Sequence, residues 1–352
     1  MSDSEFVSWQ LTDFAIQDRQ ISLDGKLGLL KILRSEDGRL ILVEDMNYGK
    51  IDHDKPTPIK FAHSDSIMGF VLDIGIRRER QLTYGNGFYS GASLILPQSR
   101  RPVSEKNFDA RLCDQISTFI DTHYQSDNKQ MQADAIRLQS LLDTYNNAWL
   151  MYRTSPSDSY LGLIRIIDAL DPYGEEGGAG GFAAFAATIS PKLNQSFCEK
   201  LKASGPFSKR LNTAIEVFDS VMEITQKQKR NYLEKMTKLD EAGKLVFACF
   251  YSAYQYRNNF VHQGFPFPDT VKESFGTEDN SVMAYLNPSL GIATIKTYRP
   301  EGLQQGDTID IHDVLSKRVK NFKEQYFLLL PTWFFMKLIA REALLNSIVG
   351  DH

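Results

Sequence analysis

A chain of 352 residues with 42% hydrophobic and 24% charged side chains has room for two domains and a globular composition, which excludes disordered and collagen-like classes. A formal charge of -4 excludes a globally basic coat, so any polyanion partner must be gripped by a local patch. Three cysteines, Cys113, Cys198 and Cys249, lie far apart without CxxC or Cys/His ligand spacing and read as reduced, buried thiols of a cytoplasmic protein.

The N-terminal "MSDSEFVSWQLTD" carries acidic residues where a secretory signal needs a basic start and an apolar core, so export is not expected. From Gly25 to about Leu96 the strong signals are short β-type runs, "LGLLKIL", "RLILVED", "IMGFVLDIGI" and "LTYGNGFYSGASLILP", separated by Gly, Asn and Asp. They predict a β-rich N-terminal domain over residues 1–102, in the position of a sensor or substrate-selecting module. "QSRRPVSEKN", 98–107, reads as the linker.

Residues 103–352 change to a helical period, which makes the chain α+β. Helices are predicted over roughly 105–123, 130–152, 157–170, 181–203, 206–236, 240–263 and 312–347. Pro172 and Gly174 stop the third; Gly264, Pro266 and Pro268 stop the sixth. Between 281 and 311, "SVMAYLN", "GIATIKTYRP" and "DTIDI" read as a small strand insertion before the last helix. The longest apolar run, Tyr326 to Met336, is broken by Pro331 and falls short of the roughly 18 residues of a membrane span. It reads as a buried helix or a subunit interface, and no membrane association is expected.

Most chemical motifs are weak. "GEEGGAGGF", 174–182, is rich in glycine but lacks the Lys-Ser/Thr of a phosphate loop and follows no strand, so it reads as a flexible interhelical loop. The basic clusters "IRRER", "KQKR" and "KRVKNFK", and Arg100 with Arg101, each read, taken alone, as solvated faces, with the lining of a groove as the alternative for one or more of them. His53, His63, His123, His312 and His352 are scattered singly, with no HxxxH or HxH pair, so neither a metal nor another cofactor is expected. No nucleophile elbow is present.

One stretch stands apart. "YQYRNNFVHQGFPFP", 254–268, puts Arg257, Asn258, Asn259 and His262 into the last two turns of a helix that otherwise reads as core, and polar groups there need partners or a purpose. Asn258 and His262 are i,i+4 and share a face, while Arg257 stands about 140° from His262 around the axis, so the two can flank one groove. A fixed cation beside a histidine is a minimal kit for cleaving RNA without a metal. The 2′-hydroxyl supplies the nucleophile, histidine moves the proton, and arginine clamps the phosphate. The competing structural reading pairs Arg257 with a buried carboxylate, uses both asparagines as helix caps and leaves His262 as an ordinary C-terminal histidine.

The string Arg-Asn-x-x-Val-His-x-Gly, ending an aromatic-rich helix before a Pro-containing loop, resembles the Rx4-6H signature of the HEPN superfamily, particularly its Apea-like branch. Arg257, Asn258 and His262 match it. A second element, "YLGLIRIIDALDPYG" at 160–174, resembles the branch's early helix with one acidic residue, here Asp168 where the branch usually shows Glu. Asp168 lies among Ile164, Ile166, Ile167 and Leu170 and wants a cation; Arg257 is the first candidate and Arg165, one turn back, the other. The resemblance covers about 156–347 and implies a helical bundle with Arg257, His262 and Asn258 catalytic and Asp168 and Asn259 supporting. It further implies a metal-independent endoribonuclease of toxin or antiviral-defence type, acting on single-stranded RNA as a homodimer under an activating ligand or regulatory protein. Some members of the superfamily are noncatalytic and only bind RNA, nucleotides or a protein partner, which is the alternative.

Overall fold

A computed structural model describes the backbone of residues 19–22, 29–34, 40–44, 64–78, 81–84, 87–90, 93–96, 109–152, 154–203, 210–263, 284–285, 292–293, 309–310 and 330–349. Side chains are described for most of 66–76, 109–203, 211–262 and 330–348. The described residues are predominantly helical. The predicted linker at 98–107 and the first part of the predicted last helix, 312–329, lie outside the described residues. The chain divides into two compact units, Met1–Gly162 with Ser347–His352, and Leu163–Asn346.

In the first unit, β1 (Arg19–Ser22), β2 (Leu29–Arg34), β3 (Leu40–Glu44), β4 (Gly75–Arg78) and β7 (Ser93–Leu96) form an antiparallel sheet of order β1-β2-β3-β7-β4. β5 (Gln81–Tyr84) and β6 (Gly87–Ser90) make a separate hairpin. "IMGFVLDIGI" does not form the continuous β-type run expected. Its first six residues end helix α1 (Ser64–Leu72), and β4 begins only at Gly75. A short apolar run is compatible with a buried helix or a strand, and packing decides between them. Here the chain reverses at Asp73, whose φ of 56° is the left-handed region that Asp tolerates better than most residues. The Asp73 carboxylate accepts from the Tyr145 hydroxyl at 2.5 Å and the Trp149 indole at 3.2 Å.

Those two aromatics belong to α3 (Lys129–Met151), which with α2 (Ala110–Tyr124) packs on α1. Asp109 and Asn128 cap these helices by accepting from the main-chain N–H groups of Leu112 and Gln130. Asn146, on the buried face of α3, mimics a neighbouring strand. Its Oδ1 accepts from Ile76 N at 2.8 Å and its Nδ2 donates to Ile76 O at 2.8 Å. Gly69 lets this happen, since a Cβ there would lie 2.7 Å from Asn146 Oδ1.

The second unit begins inside α4 (Pro156–Leu170), whose Leu163, Ile164, Ile166 and Ile167 are fully buried. It continues through α5 (Gly174–Ile189), α6 (Pro191–Ala203), α7 (Arg210–Gln228), α8 (Leu233–Thr237), α9 (Glu241–Gln263) and α10 (Trp333–Val349). Two-residue strands β8 (Ala284–Tyr285), β9 (Ile292–Ala293), β10 (Ile309–Asp310) and β11 (Leu330–Pro331) pair as β9–β10 and β8–β11. The predicted helix 181–203 is two helices divided at Ser190 and Pro191. The predicted helix 206–236 is also two, with Lys229 at φ 51° ending the first.

α9 is the central helix, packed by α5, α6 and α7. Leu245, Val246, Phe247, Ala248, Cys249 and Phe250 are all fully buried, as expected of a helix apolar around its whole circumference. Asp240 caps its start by accepting from Gly243 N at 2.8 Å. Phe247 meets Phe218 edge-on, and Phe335 stacks on Phe197 at 4.2 Å and meets Phe250 edge-on. The described part of the apolar run 326–336 is therefore core of this unit: Leu330, Trp333, Phe335 and Met336 are fully buried. No helix among the described residues is long and apolar enough to cross a membrane.

Asn146→Ala should strand the Ile76 N–H and C=O inside the first unit. At about 1–3 kcal/mol for a buried unsatisfied group, partly relieved by water, we expect a loss of about 2–4 kcal/mol in urea denaturation. An unchanged midpoint would contradict the strand-mimic role.

Candidate functional site

The end of α9 is where the core helix reaches the surface. Tyr256 is buried, the Arg257 side chain is 24% exposed, and Val261 and His262 are exposed. Rising about 1.5 Å per residue, the helix carries Arg257 at the rim and His262 some 7–8 Å further out along its axis. This placement follows from the apolar run before it, which fixes how deep the last two turns lie.

Arg257 has three neighbours that define its position. Its Nη2 lies 3.6 Å from Asp168 Oδ2 on α4, its Nη1 donates to Asn258 Oδ1 at 3.0 Å, and its guanidinium carbon stands 5.1 Å from the centre of the Tyr254 ring. The ring of Phe182, on α5, is centred 5.0 Å from that of Tyr254. Arg257 Nε is buried and has no hydrogen-bond partner among the described residues. Arg165 is exposed, so of the two candidate cations it is Arg257 that pairs with Asp168.

At 3.6 Å the ion pair is longer than the 2.7–2.9 Å of a charge-assisted hydrogen bond. The carboxylate orients the guanidinium without consuming its donors. Burial raises the Asp168 pKa, and Arg257 and the Tyr254 hydroxyl only partly offset this. Asp171, one turn further along the chain and buried, is pushed up to about 6 by burial, against the hydrogen bond it accepts from Tyr173 N at 2.9 Å and aided by the like charge of Asp168. Two carboxylates thus lie within reach of each other's charge, and burial raises the pKa of both.

The glycine-rich stretch is not the flexible loop expected from its composition. It forms the first half of α5, kinked at Gly178 (φ 51°), and its glycines admit aromatic rings. A Cβ at Gly180 would overlap the Tyr232 ring, 2.7 Å from Cζ, and one at Gly177 would lie 2.7 Å from Tyr173 Cβ. Tyr173 and Tyr232 meet edge-on at 5.7 Å beside Asp171.

Of the residues singled out in the sequence, Arg257, Asn258 and Asp168 come together. His262 lies beyond them on the same helix, and no hydrogen bond or ion pair among the described residues joins it to the cluster. The Asn259 side chain is outside the described residues. Tyr254, Phe182 and Asp171 were missed. Tyr254 precedes Arg257 by three residues and Asp171 follows Asp168 by three, the helical neighbour spacing that would have found them. All three cysteines are free and buried, and burial raises each thiol, so none is an activated nucleophile. Among the described residues no group of three or more His, Cys, Asp or Glu is placed to hold a metal ion. Comparison with family models, with curated proteins and with solved structures finds no match.

Asp171 gives the site a signature in stability. Its folded pKa, about 6, lies above the ordinary 3.8, so its contribution is most favourable below pH 3.8 and is lost as pH rises through 6. Asp171→Asn should keep the acceptor for Tyr173 N and raise the melting temperature at pH 8, by about 2 kcal/mol of stability, with the difference vanishing near pH 4. An equal shift at both pH values in thermal denaturation would contradict this.

Proposed function

We propose that the chain is a HEPN-type endoribonuclease that cleaves single-stranded RNA without a metal. The observation that carries this reading is a guanidinium held at the rim of the bundle by Asp168, Asn258 and the Tyr254 ring, with donors left over, one and a half turns before an exposed histidine. Arg257 is the clamp for the phosphate oxygens and His262 the acid or base for the 2′-hydroxyl or the leaving oxygen. Asn258 fixes the Arg257 fork, Asp168 orients it, and Asn259, next on the helix, supports the site. The β-rich N-terminal part, as an α+β partner to the helical bundle, serves as a sensor or substrate-selecting module, with an activating ligand or regulatory protein releasing the nuclease. A cytoplasmic toxin or antiviral-defence effector fits this arrangement.

On this reading the protein works as a homodimer, because one Arg257/His262 set offers a single titratable group and two sets facing each other supply both acid and base. Support comes from the resemblance to the superfamily and from the exposed position of His262 and Val261.

Purified protein should cut single-stranded RNA in the presence of EDTA. His262→Ala should lower the rate by about 10²–10⁴, the usual contribution of a general acid or base. Arg257→Ala should abolish cleavage and Arg257→Lys restore little, since an ammonium cannot reproduce a planar two-pronged donor. Cleavage that needs Mg²⁺, or that persists at full rate in a folded His262→Ala protein, would overturn the assignment. An RNA-binding module without catalysis is the alternative, and retained RNA affinity with no cleavage by wild type would favour it.

A further inference from the structure

Arg257 is supported on more than its carboxylate side. The Tyr254 ring has the Phe182 ring 5.0 Å away on α5 and carries the Arg257 guanidinium over it, 5.1 Å away on its own helix. Phe182 is fully buried and also meets Phe250 at 6.1 Å, so this set of tilted rings joins the bundle core to the cation. Asp168 touches the guanidinium from α4 at 3.6 Å. Two helices thus meet at one arginine, and a third touches the ring beneath it.

We infer that Tyr254 is a positioning residue for Arg257: its ring, in contact with Phe182, sets the guanidinium against Asp168 and keeps its remaining donors in place for a phosphate. This rests on the reading of Arg257 as the phosphate clamp. The physical need is definite. An arginine tethered only by a 3.6 Å ion pair and a neighbouring asparagine keeps rotamer freedom that must be lost when phosphate binds, whereas a ring under the cation removes it beforehand. Pre-organisation of this kind acts on the transition state, where a misplacement of about 1 Å can cost about 10²-fold. The Tyr254 hydroxyl, which faces Asp168, makes a smaller contribution through the carboxylate.

The test uses full-length wild type, Tyr254→Phe, which keeps the ring, and Tyr254→Leu, which removes it. Two readouts are taken on each: steady-state RNA cleavage in EDTA, and the Nε–Hε resonance of Arg257 in ¹⁵N NMR, assigned by its absence in Arg257→Lys. Tyr254→Leu should lower kcat about 10- to 10²-fold with KM within about twofold, and should remove the ring-current shift of the Arg257 resonance. Tyr254→Phe should restore both to within about threefold of wild-type kcat and near the wild-type shift. A folded Tyr254→Leu protein with wild-type kcat, or with the Arg257 resonance unmoved, overturns the inference. Should wild type cleave no RNA while Tyr254→Leu still displaces the resonance, the nuclease reading falls and the positioning of Arg257 by Tyr254 stands.

Discussion

A cation at the end of a helix that is apolar on every side is costly unless the fold supplies its counter-charge, and here one carboxylate on another helix does so. Asp168 and Arg257 join α4 to the last turns of α9, each half-buried charge finding its counter-charge in the other. The arrangement is a compromise. Asp168 is pulled down by Arg257 yet held up by its own burial, and the pair sits at 3.6 Å. A tighter pair would be a better structural brace and a poorer anion site, since the guanidinium's donors would already be taken. The loose pair, the buried Nε without a partner and the aromatic support together describe an arginine that is held in position but not chemically satisfied.

Legibility in the sequence was uneven, for physical reasons. Long apolar periods with clear caps and stops gave α2, α3, α4 and α9 to within a few residues, and the wish of Asp168 for a cation found Arg257 because few other charges lie on apolar helices. "IMGFVLDIGI" misled because an apolar run of that length suits helix and strand alike, and the deciding contacts, Gly69 against Asn146 and Asp73 under Tyr145 and Trp149, come from residues far along the chain. "GEEGGAGGF" misled because glycine marks both loops and close packing. Only the bulk of Tyr173 and Tyr232, which the bare glycines accommodate, shows which applies. Tyr254 was hidden in plain composition, since an aromatic in a core helix is ordinarily just core.

Glycines and carboxylates around the site have a common consequence. Bare glycines let α5 press against Tyr173 and Tyr232, and the same packing withdraws Asp171 from water beside Asp168.

The central claim is that Arg257 and His262 run the 2′-hydroxyl route, and the chemical ends of the products report on it directly. Mass spectrometry of a short RNA cut by the purified protein in EDTA should show a 2′,3′-cyclic phosphate on the upstream fragment and a 5′-hydroxyl on the downstream one, with no cut at a position carrying a 2′-deoxy sugar. A 3′-hydroxyl and 5′-phosphate, or cleavage at the deoxy position, would contradict it.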